Sequence, residues 1–387
     1  MRVRLQDVAE RASVSMQTVS RVMRTPHLVA PETVERVRAA MEALGYVKNE
    51  QATALRLGHT RTIGLLLPLL TMPFWTEVAV GAEALAHKRG YSLLLCDTSD
   101  SLLKEEDYIA LLLGYQVAGI IYAHPRCRPN IHPSCATLIQ SDTPVVVISV
   151  IQDDLPYPHV HTDDQRAGYV MVRHFLDIGR KRIAFVANNH ESSLERIRGA
   201  HRALHESDIA GETSPVFFTT ETYEGGRVAG QEIVSADGSL PDAIFATTDS
   251  ITFGLLEALR SHGIRVPEDV AVASHDGLAA SAFVIPSLTT IAPRAREMGM
   301  VCVDRLLSEE KALDARSLHV VEADLFVRAS TAGPEYAAMD SLPTPISDPE
   351  AWACWRTRSA PPDAERVAVT RIPLDRILDS KEIDLAF

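Results

Sequence analysis

Gln17 and Arg21 stand four residues apart in Met16-Gln17-Thr18-Val19-Ser20-Arg21-Val22-Met23-Arg24, a stretch with helical periodicity. Glutamine can pair bidentately with adenine and arginine with guanine, so one helix face carries two side chains able to read base edges. Met16 beside them offers only apolar contact, as to a thymine methyl. A second group of chemistry-bearing residues lies at the ends of strand-like runs: Phe74, Trp75, Asp97, His124, Ser149, Asn188, Asn189, Asp249 and Asp276, with Arg196 soon after the asparagines. Aromatic faces combined with carboxylates, amides and a guanidinium suit a polyhydroxylated ligand. Each member also has a plainer reading. Asp249 and Asp276 would cap helices, Arg196 would pair with a surface carboxylate, and Phe74 and Trp75 would fill a core or an interface between copies. A third group, His124, Cys127, His132 and Cys135, offers two imidazoles and two thiolates of the kind zinc takes. The gap between its two pairs is shorter than usual zinc spacings, so a proline-rich loop is preferred and no metal is expected.

The elements that must position the first group are short helices. Val8, Ala9 and Ala12 form one apolar face. Ser13-Val14-Ser15 interrupts it, and Ser15 can cap a second helix through its hydroxyl. In that helix Val19 and Val22 turn inward with Val14, which leaves Met16, Gln17, Ser20 and Arg21 outside. Pro31 to Leu44 reads as a third helix, with Val34, Val37, Ala40, Met41 and Leu44 as its stripe and Gly45 as its terminator. Asn49 to Arg56 suggests a fourth, capped by Asn49 with Ala52 and Leu55 apolar, but too short to be stable alone in water. Charge divides at the same place: residues 1–62 carry +4 and the remainder −17, within a total of −13. A basic head on an acidic body confines any polyanion to the head.

The second group needs a different frame. Apolar runs at Ile63–Leu67, Ser92–Cys96, Gly119–Tyr122, Val145–Ser149, Ile183–Ala187, Val216–Thr219, Ala243–Thr247 and Val270–Ala273 alternate with helical stretches. That order predicts parallel sheets covered on both faces, and eight strands fit two doubly wound lobes better than one wide sheet. Ligands in such sheets bind beyond the carboxyl ends of the strands. The longest apolar stretch, Ile63 to Leu70, contains Pro68 and is too short to span a membrane. Met1 is followed by charged residues, so no export signal is expected, and five scattered cysteines suit a reducing cytoplasm. Beyond Thr331 about 56 residues remain, rich in proline yet holding Trp352 and Trp355. Arg366 to Ile372 alternates like a strand and Leu374 to Phe387 reads as a helix, so this tail is expected to dock on the body or on a second subunit.

The order Asp7-Val8-Ala9, Val14-Ser15, Thr18-Val19-Ser20-Arg21-Val22, Thr33, Arg36-Val37, Leu44-Gly45-Tyr46, Asn49, Ala52, Leu55 and Arg61-Thr62-Ile63-Gly64 resembles the lactose/galactose repressor family of bacterial transcription regulators. The resemblance runs from Val3 to about Thr331. It implies an α/β chain with an N-terminal helix-turn-helix domain over residues 1–47, a hinge helix and linker over 48–62, and a two-lobed effector-binding and dimerisation domain over 63–331. That domain would resemble periplasmic sugar-binding proteins, with three crossovers between its lobes, and residues 332–387 would form an extension of unknown role. It further implies that Met16, Gln17 and Arg21 read bases while Ser15, Thr18, Ser20 and Thr33 hold phosphates, which fix register. Asn49, Ala52 and Leu55 would enter the minor groove, Leu55 as a wedge between base pairs. Phe74, Trp75, Asp97, Ser149, Arg196, Asp249 and Asp276 would contact effector, Arg196 through an Arg-x-x-Gly motif ending at Gly199. The chain departs from the family at Ser13, where Gly or Asn is usual, at Lys48 and Thr53, and at residues 274, 275 and 277, which weakens any carry-over of a particular sugar.

The expected function is a homodimeric cytoplasmic repressor on a near-palindromic double-stranded operator, released by a small effector, with a sugar as first choice and a purine-type corepressor as the alternative. A sugar-binding transport component shares the lobes but not the head. An enzyme on the same frame lacks a Gly-rich phosphate loop, a nucleophile elbow or a metal motif of recognised spacing, so neither enzymatic activity nor a cofactor is expected, and no membrane partner.

Overall fold

The computed structural model describes residues 3–46, 59–123, 133–148, 155–207, 214–236, 239–308, 317–332 and 370–373. The chain divides into two compact units, Met1–Arg61 and Thr62–Phe387.

The first unit is built from α1 (Leu5–Arg11), α2 (Met16–Arg24) and α3 (Pro31–Leu44). Val8, Ala9, Ala12, Val19, Val22, Val34, Val37 and Ala40 are buried together, so the three apolar stripes meet in one small core. Ser15 caps α2, its Oγ accepting from the Thr18 amide at 3.0 Å. Gly45 ends α3 in the left-handed conformation, φ 61°. Ser13 also takes a left-handed conformation, φ 53°, in the turn between α1 and α2. A serine there gives up roughly 1 kcal/mol relative to the usual glycine.

The second unit has two lobes. Lobe 1 holds β1 (Thr62–Leu67), α4 (Pro73–Lys88), β2 (Ser92–Asp97), α5 (Leu102–Gly114), β3 (Gly119–Ala123), α6 (Pro133–Gln140), β4 (Val145–Ile148) and β5 (His159–Thr162). Lobe 2 holds α7 (Asp164–Asp177), β6 (Ile183–Ala187), α8 (Glu191–His205), β7 (Pro215–Phe218), α9 (Tyr223–Ser235), β8 (Ala243–Ala246), α10 (Asp249–Ser261), β9 (Ala271–His275) and β10 (Thr289–Pro293). The chain then returns to lobe 1 as α11 (Ala295–Leu307) and β11 (Leu318–Val321), and to lobe 2 as β12 (Ala323–Phe326), followed by α12 (Ala329–Ala332) and β13 (Thr370–Pro373). The lobes are therefore joined by three short crossings, at 162–164, 293–295 and 321–323.

Strand order is β11-β5-β4-β3-β1-β2 in lobe 1, all parallel, and β12-β10-β9-β8-β6-β7-β13 in lobe 2, with antiparallel strands only at its two edges. Central strands such as β3, β4, β6 and β8 are buried at every residue, which is why they read as unbroken apolar runs. β5, β10, β11 and β12 fall outside the eight expected strands. β13 overlaps the strand expected at Arg366 to Ile372 and adds to the edge of β7.

Helices on each lobe face pack in close pairs through glycines. An ideal Cβ at Gly168 of α7 would lie 1.7 Å from the Arg196 carbonyl oxygen, and one at Gly199 of α8 would lie 1.8 Å from that of Gln165. Each glycine thus rests on the backbone three residues before the other. Gly226 with Gly254 (α9 and α10) and Gly81 with Gly299 (α4 and α11) repeat the reciprocal arrangement.

Candidate functional site

Both sheets reverse strand order next to their first strand, beside β1 in lobe 1 and beside β6 in lobe 2, and the loops leaving their carboxyl ends enclose a cavity of about 110 Å³. Lobe 1 contributes Leu69, Met72, Phe74 and Trp75 after β1, Asp100 after β2 and His161 and Thr162 at the end of β5. Lobe 2 contributes Asp164, then His190, Ser193 and Arg196 after β6, Glu221 after β7, Thr248 after β8 and Asp276 after β9. Phe74 and Trp75 meet edge to face, 4.9 Å between centroids.

Arg196 is the electrostatic centre. Its Nε donates to Asp164 Oδ1 at 2.8 Å and its Nη1 to the Thr247 carbonyl at 2.6 Å. Both side chains of the ion pair are almost enclosed, 9% and 7% exposed. The glycine crossing of α7 and α8 sets this geometry, since Asp164 precedes Gly168 by one turn and Arg196 precedes Gly199 by one. The Gly199 half of the Arg-x-x-Gly motif is therefore a packing contact.

Asp276 lies across from this pair with φ 116°, a conformation that costs a non-glycine residue about 1–3 kcal/mol and concentrates at functional sites. His275 Nδ1 lies 3.1 Å from Asp276 Oδ1. Burial raises the Asp276 carboxyl pKa; Arg196 pulls it down, and Glu221 and Asp164 push it further up. His275 is fully buried and held well below its usual range, by burial first and by Arg196 second, so it stays neutral. Glu221 accepts from Asn188 Nδ2 and lies 3.4 Å from His190 Nδ1.

Two expected effector contacts lie elsewhere. Asp249 is fully buried, its carboxylate accepting from the Ser274 and Ser281 hydroxyls, the Leu278 amide at 2.7 Å and the Thr290 hydroxyl at 2.9 Å. It ties β9, β10 and the loop between them, and the cap of α10 is Thr248 instead. Burial pushes the Asp249 pKa up to about 7, Asp276 adds to that, and the hydroxyl donors oppose it. Asp97 accepts from the Ser99 amide at 2.7 Å and the Leu70 amide at 3.3 Å, so it braces the loops behind the cleft lip instead of lining it. Of the remaining expected residues, Phe74, Trp75, Arg196 and Asp276 line the cavity, and Ser149 lies outside the described residues. His161, Asp164, Glu221 and Thr248 were not on the expected contact list. His124, Cys127 and His132 also lie outside the described residues, while Cys135 is buried in the core under α6.

In the first unit Met16, Gln17 and Arg21 project from the exposed face of α2, and the Arg21 guanidinium has no partner among the described residues. Ser15 and Thr18 hydroxyls lie 2.9 Å apart, and Ser20 Oγ accepts from Arg24 Nη2 at 2.9 Å. Thr33 is half-buried in the first turn of α3. Asn49, Ala52 and Leu55 lie outside the described residues.

Residues 4–49 match the model for bacterial regulatory proteins of the lacI family, and residues 172–331 match a periplasmic binding protein-like domain. Catabolite control protein A of Priestia megaterium is 32% identical over 312 residues, spanning 80% of this chain and 92% of that protein. The chain belongs to the LacI family of bacterial transcription regulators.

This LacI-family chain is also 29% identical to the HTH-type transcriptional repressor PurR of Photobacterium profundum, over 84% of this chain and 98% of that one. Its fold matches the lac repressor dimer bound to operator and the anti-inducer ONPF, with TM-score 0.76, 25% identity and coverage of 86% of this chain and 99% of that one. A transcriptional regulator CelR–cellobiose complex matches with TM-score 0.62 and 27% identity, over 85% of this chain and all of that one. The helix-turn-helix, the two parallel-sheet lobes and the family are thus those expected, and the chain is a DNA-binding transcriptional regulator. No helix among the described residues is long and apolar enough to cross a membrane.

Proposed function

We propose that this regulator is a cytoplasmic repressor that binds a near-palindromic operator as a homodimer and leaves it when a small polyhydroxylated effector enters the interlobe cleft. The observation that carries the effector class is the cleft itself: aromatic side chains on one lip and hydrogen-bonding residues at the carboxyl ends of both sheets. Relatives bound to cellobiose and ribose support a sugar. The cleft binds its ligand without turning it over, a reading supported by relatives that are transcriptional regulators.

Gln17 and Arg21 read bases, with Met16 in apolar contact, while Ser15, Thr18, Ser20 and Thr33 hold phosphates. Residues 49–56 act as a hinge that folds against the minor groove, with Leu55 as its wedge. Effector binding changes the angle between the lobes, and residues 57–62 pass that change to the hinge. A hundredfold loss of operator affinity takes only about 2.7 kcal/mol of coupling, within reach of a marginal helix. PurR-type relatives favour a second reading, in which a purine strengthens operator binding.

Gel-shift titration of the full chain on its own promoter region, with and without a panel of sugars and purines, tests these readings. A sugar that weakens the shifted band supports the first, a purine that strengthens it supports the second, and insensitivity to both classes refutes the proposed effector classes.

A further inference from the structure

The cleft is lined by more carboxyl groups than permanent cations. Arg196 is the one permanently charged cation among the described residues lining it, and Asp164 cancels that charge at 2.8 Å while the Thr247 carbonyl takes Nη1. On the lobe 2 side Glu191 pairs with Arg198, while Glu221, with the His190 ring 3.4 Å away, and Asp276 have no Lys or Arg salt bridge among the described residues. His275 cannot supply the missing charge, because it is neutral. The His161 Nδ1 lies 2.8 Å from the Thr162 carbonyl, which can only accept, so Nδ1 donates there. Its Nε2 is buried with no hydrogen-bond partner among the described residues.

We propose that the effector carries a protonated primary amine on a hydroxylated ring, as an amino sugar does, and that Glu221 and Asp276 receive that amine. This rests on the sugar reading above and narrows it. A hydroxyl brings more acceptor capacity than donor capacity, whereas an ammonium brings three donors and no acceptor. A sugar phosphate would set its charge against Glu221 and Asp276. An ammonium instead neutralises a site where Glu221 already opposes the ionisation of Asp276. Phe74 and Trp75 on the lip suit the same ligand, since ring faces attract both cations and sugar C–H surfaces.

Isothermal titration calorimetry on the full chain tests this with matched sets: glucosamine, galactosamine and mannosamine, their parent hexoses, their N-acetyl forms and their 6-phosphates, with putrescine and hypoxanthine added. At least one amino sugar should bind more than about tenfold tighter than its parent and its N-acetyl form. Glu221→Gln, and independently Asp276→Asn, should shrink that gap. A parent hexose, N-acetyl form or phosphate that binds as well as the amine overturns the inference and leaves the sugar reading standing. Hypoxanthine binding alone overturns both. Putrescine binding as tightly as the best amino sugar upholds the amine and refutes the ring. Absence of binding by every amine overturns the inference.

Discussion

Breaking the Asp164–Arg196 pair offers the most direct check on the cleft. In Arg196→Met, the Asp164 carboxyl loses its partner in a position only 7% exposed, and the Thr247 carbonyl loses its 2.6 Å donor. Stranding one partner of a buried pair costs about 3–5 kcal/mol, a large part of a typical total of about 5–15 kcal/mol. Asp164→Asn removes the opposite charge but leaves an amide oxygen for Nε, so it should cost less than the arginine change. The double variant has no stranded charge, and its destabilisation should fall short of the sum of the single variants by at least about 2 kcal/mol. Urea denaturation followed by far-UV circular dichroism gives the three values at constant slope. Costs that add to within about 0.5 kcal/mol would show that the two groups are not energetically paired and would refute the account of the cleft's centre.

Four further outcomes are expected. Gly199→Ala must force α7 and α8 apart, because its Cβ would meet the Gln165 carbonyl at 1.8 Å; the unfolding free energy from urea denaturation should fall by about 1–3 kcal/mol, whereas Gly114→Ala, with nothing within 4 Å, should be neutral or mildly stabilising. Ser15→Ala removes the α2 cap and should cost about 1 kcal/mol, seen as roughly fivefold faster amide exchange across Met16–Arg24. Arg21→Ala should relax operator preference at one base pair by about 1–3 kcal/mol in competition gel shifts, and a uniform loss across all sequences would argue for phosphate contact instead. For Asp249, whose folded pKa is raised to about 7, the folded state holds a proton that the unfolded chain has already released. Its contribution is full below pH ~4 and is lost as pH rises toward about 7, so stability should decline over that window and flatten in Asp249→Asn, checked by urea midpoints at several pH values.

The head was legible because its signals are local. Caps, a stripe and a terminator act within a few residues, and the core of α1, α2 and α3 uses the valines and alanines that periodicity selects. The central strands were legible for a related reason, being buried on both faces. β5 was not, since His159-Val160-His161-Thr162 has no apolar run, and with it went His161. Glu221 was reachable by the rule that found Asp276, as it stands two residues beyond the apolar run that ends at Thr219. Asp249 shows the limit of that rule. Position at a strand's carboxyl end says nothing of where a side chain turns, and its partners Ser274, Ser281 and Thr290 lie 25 to 41 residues away. Arg196 had an inverse fate: its motif pointed to ligand contact, while its buried partner Asp164 became visible only once α7 and α8 crossed.

The reciprocal glycine crossings have a mechanical meaning. α7 and α11 are the first elements after two of the lobe crossings, and each is clamped to its own lobe within about one or two turns, at Gly168 and Gly299. Bending between the lobes is thereby squeezed into two or three residues at each crossing. His161 and Asp164, three positions apart in the chain, consequently belong to opposite jaws. A ligand that grips both sits almost on the pivot, where a small change in bond length becomes a wide swing at the far ends of the lobes.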